Sequence, residues 1–287
     1  MKNKQPTQFA VVGNPIQHSL SPIIHQYFAK QAGISLSYEK LEPSTEEPIF
    51  ERTINTFFEQ NGTGLNITLP FKKRAFALAK HTTSQAQATQ TANTLWVQDN
   101  QIWADSTDGV GLIRSLANLT GSLENKRILL IGAGGAARSI IPALLEQKPE
   151  LLVIANRTMA HAQTLSETFN ALLSERIIAT SSPKLVSQHY HLAINATSYG
   201  RKNDDPLPSQ LLEAVEWSDL CYDLNYNQNL EPTAFCAAAD LKGKQHSDGL
   251  NMLVQQAALS FSIWHQFQPD AEQVILRLRS ELSSHNP

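Results

Sequence analysis

Ile128-Leu129-Leu130-Ile131-Gly132-Ala133-Gly134-Gly135-Ala136-Ala137-Arg138-Ser139 decides the fold. Four apolar residues read as a buried strand, and the glycines and small residues after them read as a tight turn opening a helix. The spacing is G-x-G-x-x-A, which fits the dinucleotide fingerprint when a strand leads in and a helix leads out. Gly132 permits the sharp turn. Gly134 has no side chain, so a pyrophosphate can approach the backbone, and Ala137 lets the helix lie on its strand. Ala133, Gly135 and Ala136 complete this cofactor-binding turn. The helix N-terminus offers unpaired N–H groups and a partial positive charge to the phosphates. An ordinary glycine-rich turn has the same composition, so the flanking elements carry the reading.

The next apolar run, Leu151 to Ala155, ends in Asn156-Arg157-Thr158. An NAD site places an Asp or Glu near this strand end to bind the ribose hydroxyls. No carboxylate stands here. Arg157 with Asn156 and Thr158 suits the 2′-phosphate of NADP instead, because a guanidinium matches phosphate oxygens in a fork. A solvated loop arginine is the plainer alternative. The predicted cofactor is NADP (NADPH).

At 287 residues the chain has room for one large or two medium domains. Its 41% hydrophobic and 17% charged residues fit a soluble globular protein, and a net charge of −3 argues against general nucleic-acid binding. Two cysteines, Cys221 and Cys236, give neither a disulfide framework nor zinc spacing, so no metal is expected. The basic start, Met1 to Pro6, leads into no apolar signal region, and no apolar run is long enough to span a bilayer. The expected location is the cytoplasm. The expected partners are a small-molecule substrate and a second copy in a homodimer, with no nucleic acid and no membrane.

N-terminal to the fingerprint, strands near Phe9–Val12, Ser37–Leu41 and Gly64–Leu69 alternate with helices near 46–60 and 73–80, which predicts a first α/β unit. In Ser19-Leu20-Ser21-Pro22, Ser21 reads as an N-cap and Pro22 as the first helical residue. A capping hydroxyl still has a proton to offer a ligand. His18 and His25 read as structural. Lys72 follows the third strand, and ligands of open α/β sheets sit beyond such strand ends; a solvated surface lysine is the alternative. A hairpin is predicted from Leu95 to Trp103, turning at Asp99-Asn100. Asn93 just before it satisfies a turn or meets a ligand, and Asp108 caps the next helix or does chemistry.

After the fingerprint, strands are predicted near Arg176–Ala179, Leu192–Asn195 and Leu220–Leu224. Pro142 sits too deep in its helix for the first turn, so a kink is expected. Asn195 to Gly200 borders the expected nicotinamide position or forms a plain turn. The loop Arg201–Pro208 reads as polar and mobile. From Leu250 to Phe267 apolar residues occupy two helix faces, and Gln256 falls on one of them. A buried amide needs partners, supplied by a ligand or a backbone carbonyl. Pro269-Asp270 opens a last helix, expected to return to the first unit. Hinges are expected near Thr107 and Gly243.

Taken in order, several stretches together resemble the shikimate dehydrogenase family over most of the chain. They are Val12–Ile16 with Ser19–Pro22, Asn66-Ile67-Thr68-Leu69-Pro70-Phe71-Lys72, Ala92–Leu95, Thr107-Asp108-Gly109, the glycine loop, Asn156–Thr158, Asn195–Ser198 and Asp248–Ala257. The resemblance implies reversible reduction of 3-dehydroshikimate to shikimate by NADPH, in aromatic biosynthesis. It implies a two-domain α/β fold: a substrate domain (1–107) completed by C-terminal helices (249–287), a Rossmann-like NADP domain (108–248), and a deep cleft between them. Position by position, Lys72 and Asp108 match the catalytic pair. Ser19, Ser21 and Tyr226 match groups on the substrate carboxylate, and Thr68, Asn93 and Gln256 match groups near the ring hydroxyls. Asn156, Arg157 and Thr158 match the 2′-phosphate clamp, with Thr197, Leu224 and Gly249 also at the cofactor. Ser106 stands where the family pattern has Asn, and Gln228 and Glu231 interrupt the pattern after Tyr226. The paired serines favour shikimate over quinate. A broader quinate/shikimate dehydrogenase and a non-catalytic NADP-binding regulatory module are the alternatives.

Overall fold

A computed structural model describes residues 7–173, 177–182, 186, 189–199 and 207–283. It divides into two compact units, Met1–Gly111 with Leu253–Leu278, and Leu112–Met252 with Arg279–Pro287. The chain therefore passes from one unit to the other at Gly111/Leu112, at Met252/Leu253 and at Leu278/Arg279. Thr107 lies four residues before the first passage, but Gly243 lies inside the second unit, nine residues short of the return. The residues Met1–Pro6, Arg176, Gly200 and 201–206, on which parts of the sequence reading rest, lie outside the described residues.

The first unit is a six-stranded mixed sheet in the order β2-β1-β3-β5-β6-β4. Its strands are β1 (Thr7–Val12), β2 (Leu36–Leu41), β3 (Gly62–Ile67), β4 (His81–Thr82), β5 (Thr94–Gln98) and β6 (Gln101–Asp105). The first three pair in parallel, linked by α1 (Ser21–Ala32) and α2 (Ile49–Glu59), because a parallel return needs a crossover. β5 and β6 form the expected hairpin. Asp99 and Asn100 carry φ of 52° and 57°, the positive pair that a two-residue I′ turn requires. α3 (Lys72–Leu78), α4 (Ser84–Thr89), α10 (Leu250–His265) and α11 (Ala271–Ser283) complete the helices met here, although α10 and α11 each straddle a unit boundary. The sequence reading did not foresee β4 or α4, which are two and six residues long and too short for periodicity to show.

Ser21 does not cap α1. Leu20, already in helical conformation (φ −87°, ψ −3°), holds the N-cap position without a side-chain bond, and Ser21 is the first helical residue. The hydroxyl that meets this helix end belongs to Ser19, whose Oγ accepts the Ser21 N–H at 3.2 Å. The proline therefore sits one position further in than predicted, which costs nothing because its N–H would still be among the unpaired first four. His25 is fully buried and stacked on Tyr38, with centroids 4.5 Å apart, and burial pushes it down to about 3. It is a neutral packing group, as read.

The second unit is a six-stranded parallel sheet, ordered β12-β11-β10-β7-β8-β9. Its strands are β7 (Arg127–Ile131), β8 (Leu151–Ala155), β9 (Ile177–Thr180), β10 (Tyr190–Asn195), β11 (Ser218–Asp223) and β12 (Gln245–Ser247). Counted from β7 this is the 3-2-1-4-5-6 order of a dinucleotide-binding sheet, whose switch point lies between β7 and β10. α5 (Asp108–Thr120), α6 (Gly135–Glu146), α7 (Met159–Leu173), α8 (Ser209–Trp217) and α9 (Ala234–Leu241) connect the strands, with α5 leading in from the first unit. Ile128, Leu130, Leu152, Ile154, Leu192 and Ile194 pack one face against Ile140, Ile141 and Leu144 of α6. Each such side chain contributes about 1.5–3 kcal/mol on leaving water. α6 runs unbroken through Pro142. The proline lacks the N–H that would reach the Arg138 carbonyl, and it is buried among the core-facing residues of the helix.

Candidate active site

The first unit gathers Lys72, Asn93, Asp108 and Gln256. The β5–β6 hairpin does most of this work. Its register sets Thr94 opposite Asp105, so Asn93 lies beside the residues leaving β6, and its N–H donates to the Asp105 carbonyl at 3.0 Å. Ile67 at the end of β3 donates to the Asn93 carbonyl at 2.8 Å, and Ala92 donates to the Lys72 carbonyl at 2.9 Å. Three chain segments thus meet through main-chain bonds before any side chain is counted.

Lys72 opens α3, and two neighbours fix that helix. Phe71 is fully buried and stacked on Phe50, with centroids 4.6 Å apart. Arg74 forks onto Glu51 through Nε and Nη2 at 2.8 and 2.5 Å, with its guanidinium over both rings. That hydrogen bond holds the Glu51 carboxyl below its usual range. Lys72 Nζ then donates to Asp108 Oδ2 at 2.6 Å, with side chains 13% and 7% exposed. At such low exposure the pair feels a much weaker solvent screen than a surface ion pair.

Asn93 holds the other carboxylate oxygen. Its Nδ2 lies 2.9 Å from Asp108 Oδ1, 2.8 Å from Thr107 Oγ1 and 3.1 Å from Gln256 Oε1. Its Oδ1 accepts the Thr107 N–H at 2.8 Å and the Thr94 hydroxyl at 3.1 Å. Gln256 comes this close because Gly111 has no side chain: a Cβ there would stand 2.8 Å from the Gln256 Cβ and 2.9 Å from its nitrogen. The other end of the Gln256 amide donates to the Leu253 carbonyl at 2.8 Å, the backbone partner a buried amide requires.

Ser19 and Ser21 form a second group, with the Ser19 hydroxyl donating to Ser21 Oγ at 3.1 Å. Ser21 hydrogen-bonds the buried Tyr38 hydroxyl, which donates to Asn66 Oδ1 at 2.7 Å. Asn66 continues to the Asn93 carbonyl and to Ser260 Oγ, at 3.2 and 2.9 Å. One buried polar network therefore joins the serine pair to the Lys72–Asp108 pair. Tyr38 and Ser260 were invisible as site residues in the sequence, since a tyrosine in a strand and a serine in a helix carry no motif. Thr68 is half-buried just after β3, where its carbonyl accepts the Phe71 N–H. Ser106, the departure from the family pattern, is buried, and its hydroxyl finds no partner among the described residues.

The second unit holds the remaining predicted residues. Gly132 follows β7 at φ 108°, a conformation L side chains rarely adopt, and a Cβ there would stand 3.0 Å from the Ala196 carbonyl. Ala133 and Gly134 complete the turn, and Gly135-Ala136 start α6. A Cβ on Gly134 would meet nothing within 4 Å, so the approach to this helix N-terminus is open. Asn156, Arg157 and Thr158 follow β8; the Asn156 amide closes the turn on the Thr158 carbonyl at 2.8 Å and Arg157 is exposed. The open glycine turn, the free helix end and a strand end with arginine in place of a carboxylate fit a phosphorylated dinucleotide. Leu224 after β11 donates to the Asn195 carbonyl, and Gly249 donates to the Asn225 carbonyl, both at 2.9 Å. Tyr226 is half-buried in the same unit.

Asp223, at the end of β11, organises the turns that follow β10 and β11. Its Oδ1 accepts from Asn195 Nδ2 (3.0 Å) and from Asn225 N and Nδ2 (both 2.9 Å), and its Oδ2 from Thr233 Oγ1 (2.7 Å). Asn195 in turn accepts the Thr197 N–H and hydroxyl, at 3.0 and 2.7 Å. Burial pushes the Asp223 carboxyl up to about 6 against these hydrogen bonds. The folded state therefore holds its proton more tightly than the unfolded chain. The stabilisation is complete below the ordinary value of 3.8 and is lost as pH rises through about 6. Asp223→Asn has no such proton to lose. The wild-type Tm should fall relative to that of the variant between pH 4 and 7, by on the order of 5 °C. Thermal melts across that range test this; a flat difference would show that the carboxyl does not titrate there.

A parallel dinucleotide sheet with a phosphate-ready turn, in one chain with a buried lysine–carboxylate pair, defines a nucleotide-dependent oxidoreductase. Comparison with known proteins narrows the class. Family models described as the shikimate dehydrogenase substrate binding domain, shikimate / quinate 5-dehydrogenase and the shikimate 5'-dehydrogenase C-terminal domain match residues 11–95, 115–201 and 249–277. A shikimate dehydrogenase (NADP(+)) of Legionella pneumophila (strain Lens) is 47% identical, covering 95% of this chain and 98% of its own. The crystal structure of the Thermus thermophilus enzyme, described as shikimate 5-dehydrogenase in complex with NADP(H) and shikimate, superposes with a TM-score of 0.80 at 30% identity, over 96% of this chain and 99% of its own. That of shikimate dehydrogenase from Aquifex aeolicus gives 0.86 at 28% identity, over 97% and 99%. The chain belongs to the shikimate dehydrogenase family. Among the described residues no helix is long and apolar enough to cross a membrane.

Proposed function

We propose that this protein catalyses the reversible NADPH-dependent reduction of 3-dehydroshikimate to shikimate, with Lys72 as acid/base and Asp108 as its partner. The observation that carries the assignment is the 2.6 Å Lys72–Asp108 contact, formed where both side chains are nearly enclosed. NADPH, held by Gly132 to Ala136 and Arg157, would supply a hydride for the ketone carbon. The Lys72 ammonium then gives a proton to the carbonyl oxygen as its negative charge develops. The neutral amine regains a proton from water, and Asp108 holds it in place throughout.

Ser19, Ser21 and Tyr226 serve as uncharged donors to the substrate carboxylate. Thr68, Asn93 and Gln256 serve the ring hydroxyls. Gly132 to Ala136 cradle the pyrophosphate, Asn156, Arg157 and Thr158 hold the 2′-phosphate, and Thr197, Leu224 and Gly249 line the cofactor further along. The reading includes a cytoplasmic location, supported by two buried free cysteines whose thiols burial raises to about 12, and a homodimer. Oxidation of NADPH with 3-dehydroshikimate tests the activity, and shikimate and quinate compared in the reverse direction test its breadth. Turnover of shikimate well above quinate is expected; equal rates would make the enzyme a general quinate/shikimate dehydrogenase.

A further inference from the structure

Arg157 and Tyr199 come from different loops. Arg157 follows β8, and Tyr199 lies in the turn after β10; these two strands flank β7, which feeds the glycine turn. Arg157 Nη1 donates to the Tyr199 hydroxyl at 3.1 Å. Tyr199 is set on a fixed base. Its ring packs against the cluster of Leu129, Ile131 and Leu211. Its N–H donates to Thr197 Oγ1 at 3.3 Å, and its carbonyl accepts from Asn195 and Asn225 at 3.3 and 3.4 Å. Both amides are themselves held by Asp223.

We propose that Tyr199 is a specificity-determining residue for the phosphorylated ribose of NADP: it orients Arg157 and presents its own hydroxyl proton to the same 2′-phosphate. The inference rests on the reading of Arg157 as the phosphate clamp. The chemistry leaves one assignment of roles. A guanidinium only donates, so the Tyr199 oxygen accepts, and its proton stays available for an anion beside the arginine. The bond also restrains a long exposed side chain before the ligand arrives, which removes part of the ordering cost of binding. A dinucleotide without the 2′-phosphate gains nothing from either effect.

Tyr199→Phe keeps the ring and removes only the oxygen. Titration calorimetry should show its Kd for 2′,5′-ADP raised about five-fold, below the usual range for a charged hydrogen bond because the place is exposed, with the Kd for 5′-ADP unchanged. The KM for NADPH should rise in parallel, with the effect absent from kcat, from the KM for NADH and from the KM for shikimate. In an Arg157→Ala background the same change should add less than about two-fold, because the two side chains act together. Equal losses for 2′,5′-ADP and 5′-ADP would mark Tyr199 as merely structural and overturn the proposal. An unchanged 2′,5′-ADP affinity in Tyr199→Phe, with a weakened one in Arg157→Ala, would overturn it while leaving the clamp standing. If Arg157→Ala itself binds 2′,5′-ADP normally, the clamp fails and takes this inference with it.

Discussion

Lys72→Ala is expected to lower kcat by about 10²–10⁴-fold, the range for losing a positioned proton donor. NADPH affinity should stay within about two-fold, because every residue assigned to the nucleotide lies in the other unit and survives the change. The loss has two sources. No group is left to protonate the oxygen as hydride reaches carbon. Asp108 also loses its cationic partner in a nearly enclosed place, where among the described residues the Asn93 amide is its remaining side-chain donor, so substrate no longer meets an ammonium there. Removing one partner of a buried pair commonly costs about 3–5 kcal/mol of stability, and Asn93 should keep this case at the lower end. Pre-steady-state reduction, with NADPH binding followed by fluorescence, separates the two effects. Equal losses in kcat and nucleotide affinity would remove Lys72 from the proton-transfer role.

The extent to which the sequence disclosed this molecule depended on the range of each interaction. The dinucleotide sheet was legible because its signal is local: four apolar residues, a glycine at φ 108° and a small residue at the helix contact all lie within Ile128–Ala137. The hairpin was legible for the same reason, through Asp99-Asn100. The meeting of Lys72 with Asp108 was not local. Thirty-six residues separate them, and only resemblance to a family joined them in advance. The structure supplies the cause: the β5–β6 register and the main-chain bonds from Ile67 and Ala92 bring the segments together. Tyr38 and Ser260 carried no site signal, and the stretches that hold Tyr199 and Asp223 did not single out either residue, because each acts through partners distant in the chain. The Ser21 cap failed for a different reason. Both Ser19 and Ser21 are capping types, and composition alone does not tell which hydroxyl reaches the helix end.

Asn93→Asp should inactivate the enzyme more completely at neutral pH than Asn93→Ala, although Asp is the closer match in shape. The Asn93 amide nitrogen faces Asp108 Oδ1, Thr107 Oγ1 and Gln256 Oε1, and two of these three can only accept. A carboxylate oxygen in its place would sit about 2.9 Å from the Asp108 carboxylate. Two such charges that close repel each other, so the pair takes up one shared proton at a higher pH than an isolated carboxylate does. Lys72 would then face a carboxylate pair whose charge changes with pH, in place of a single carboxylate. Expected at pH 7–8 is a fall in kcat of roughly 10²-fold or more, the size of a lost proton-transfer arrangement. Partial recovery should follow toward lower pH, where the shared proton restores a donor between the two groups. Asn93→Ala leaves Asp108 short of one donor but adds no charge, so its loss should be smaller and flat over the same range. A pH–rate profile of both variants decides the point. If Asn93→Asp tracks Asn93→Ala at every pH, the amide matters only for packing, and its bond to the catalytic carboxylate carries no electrostatic weight.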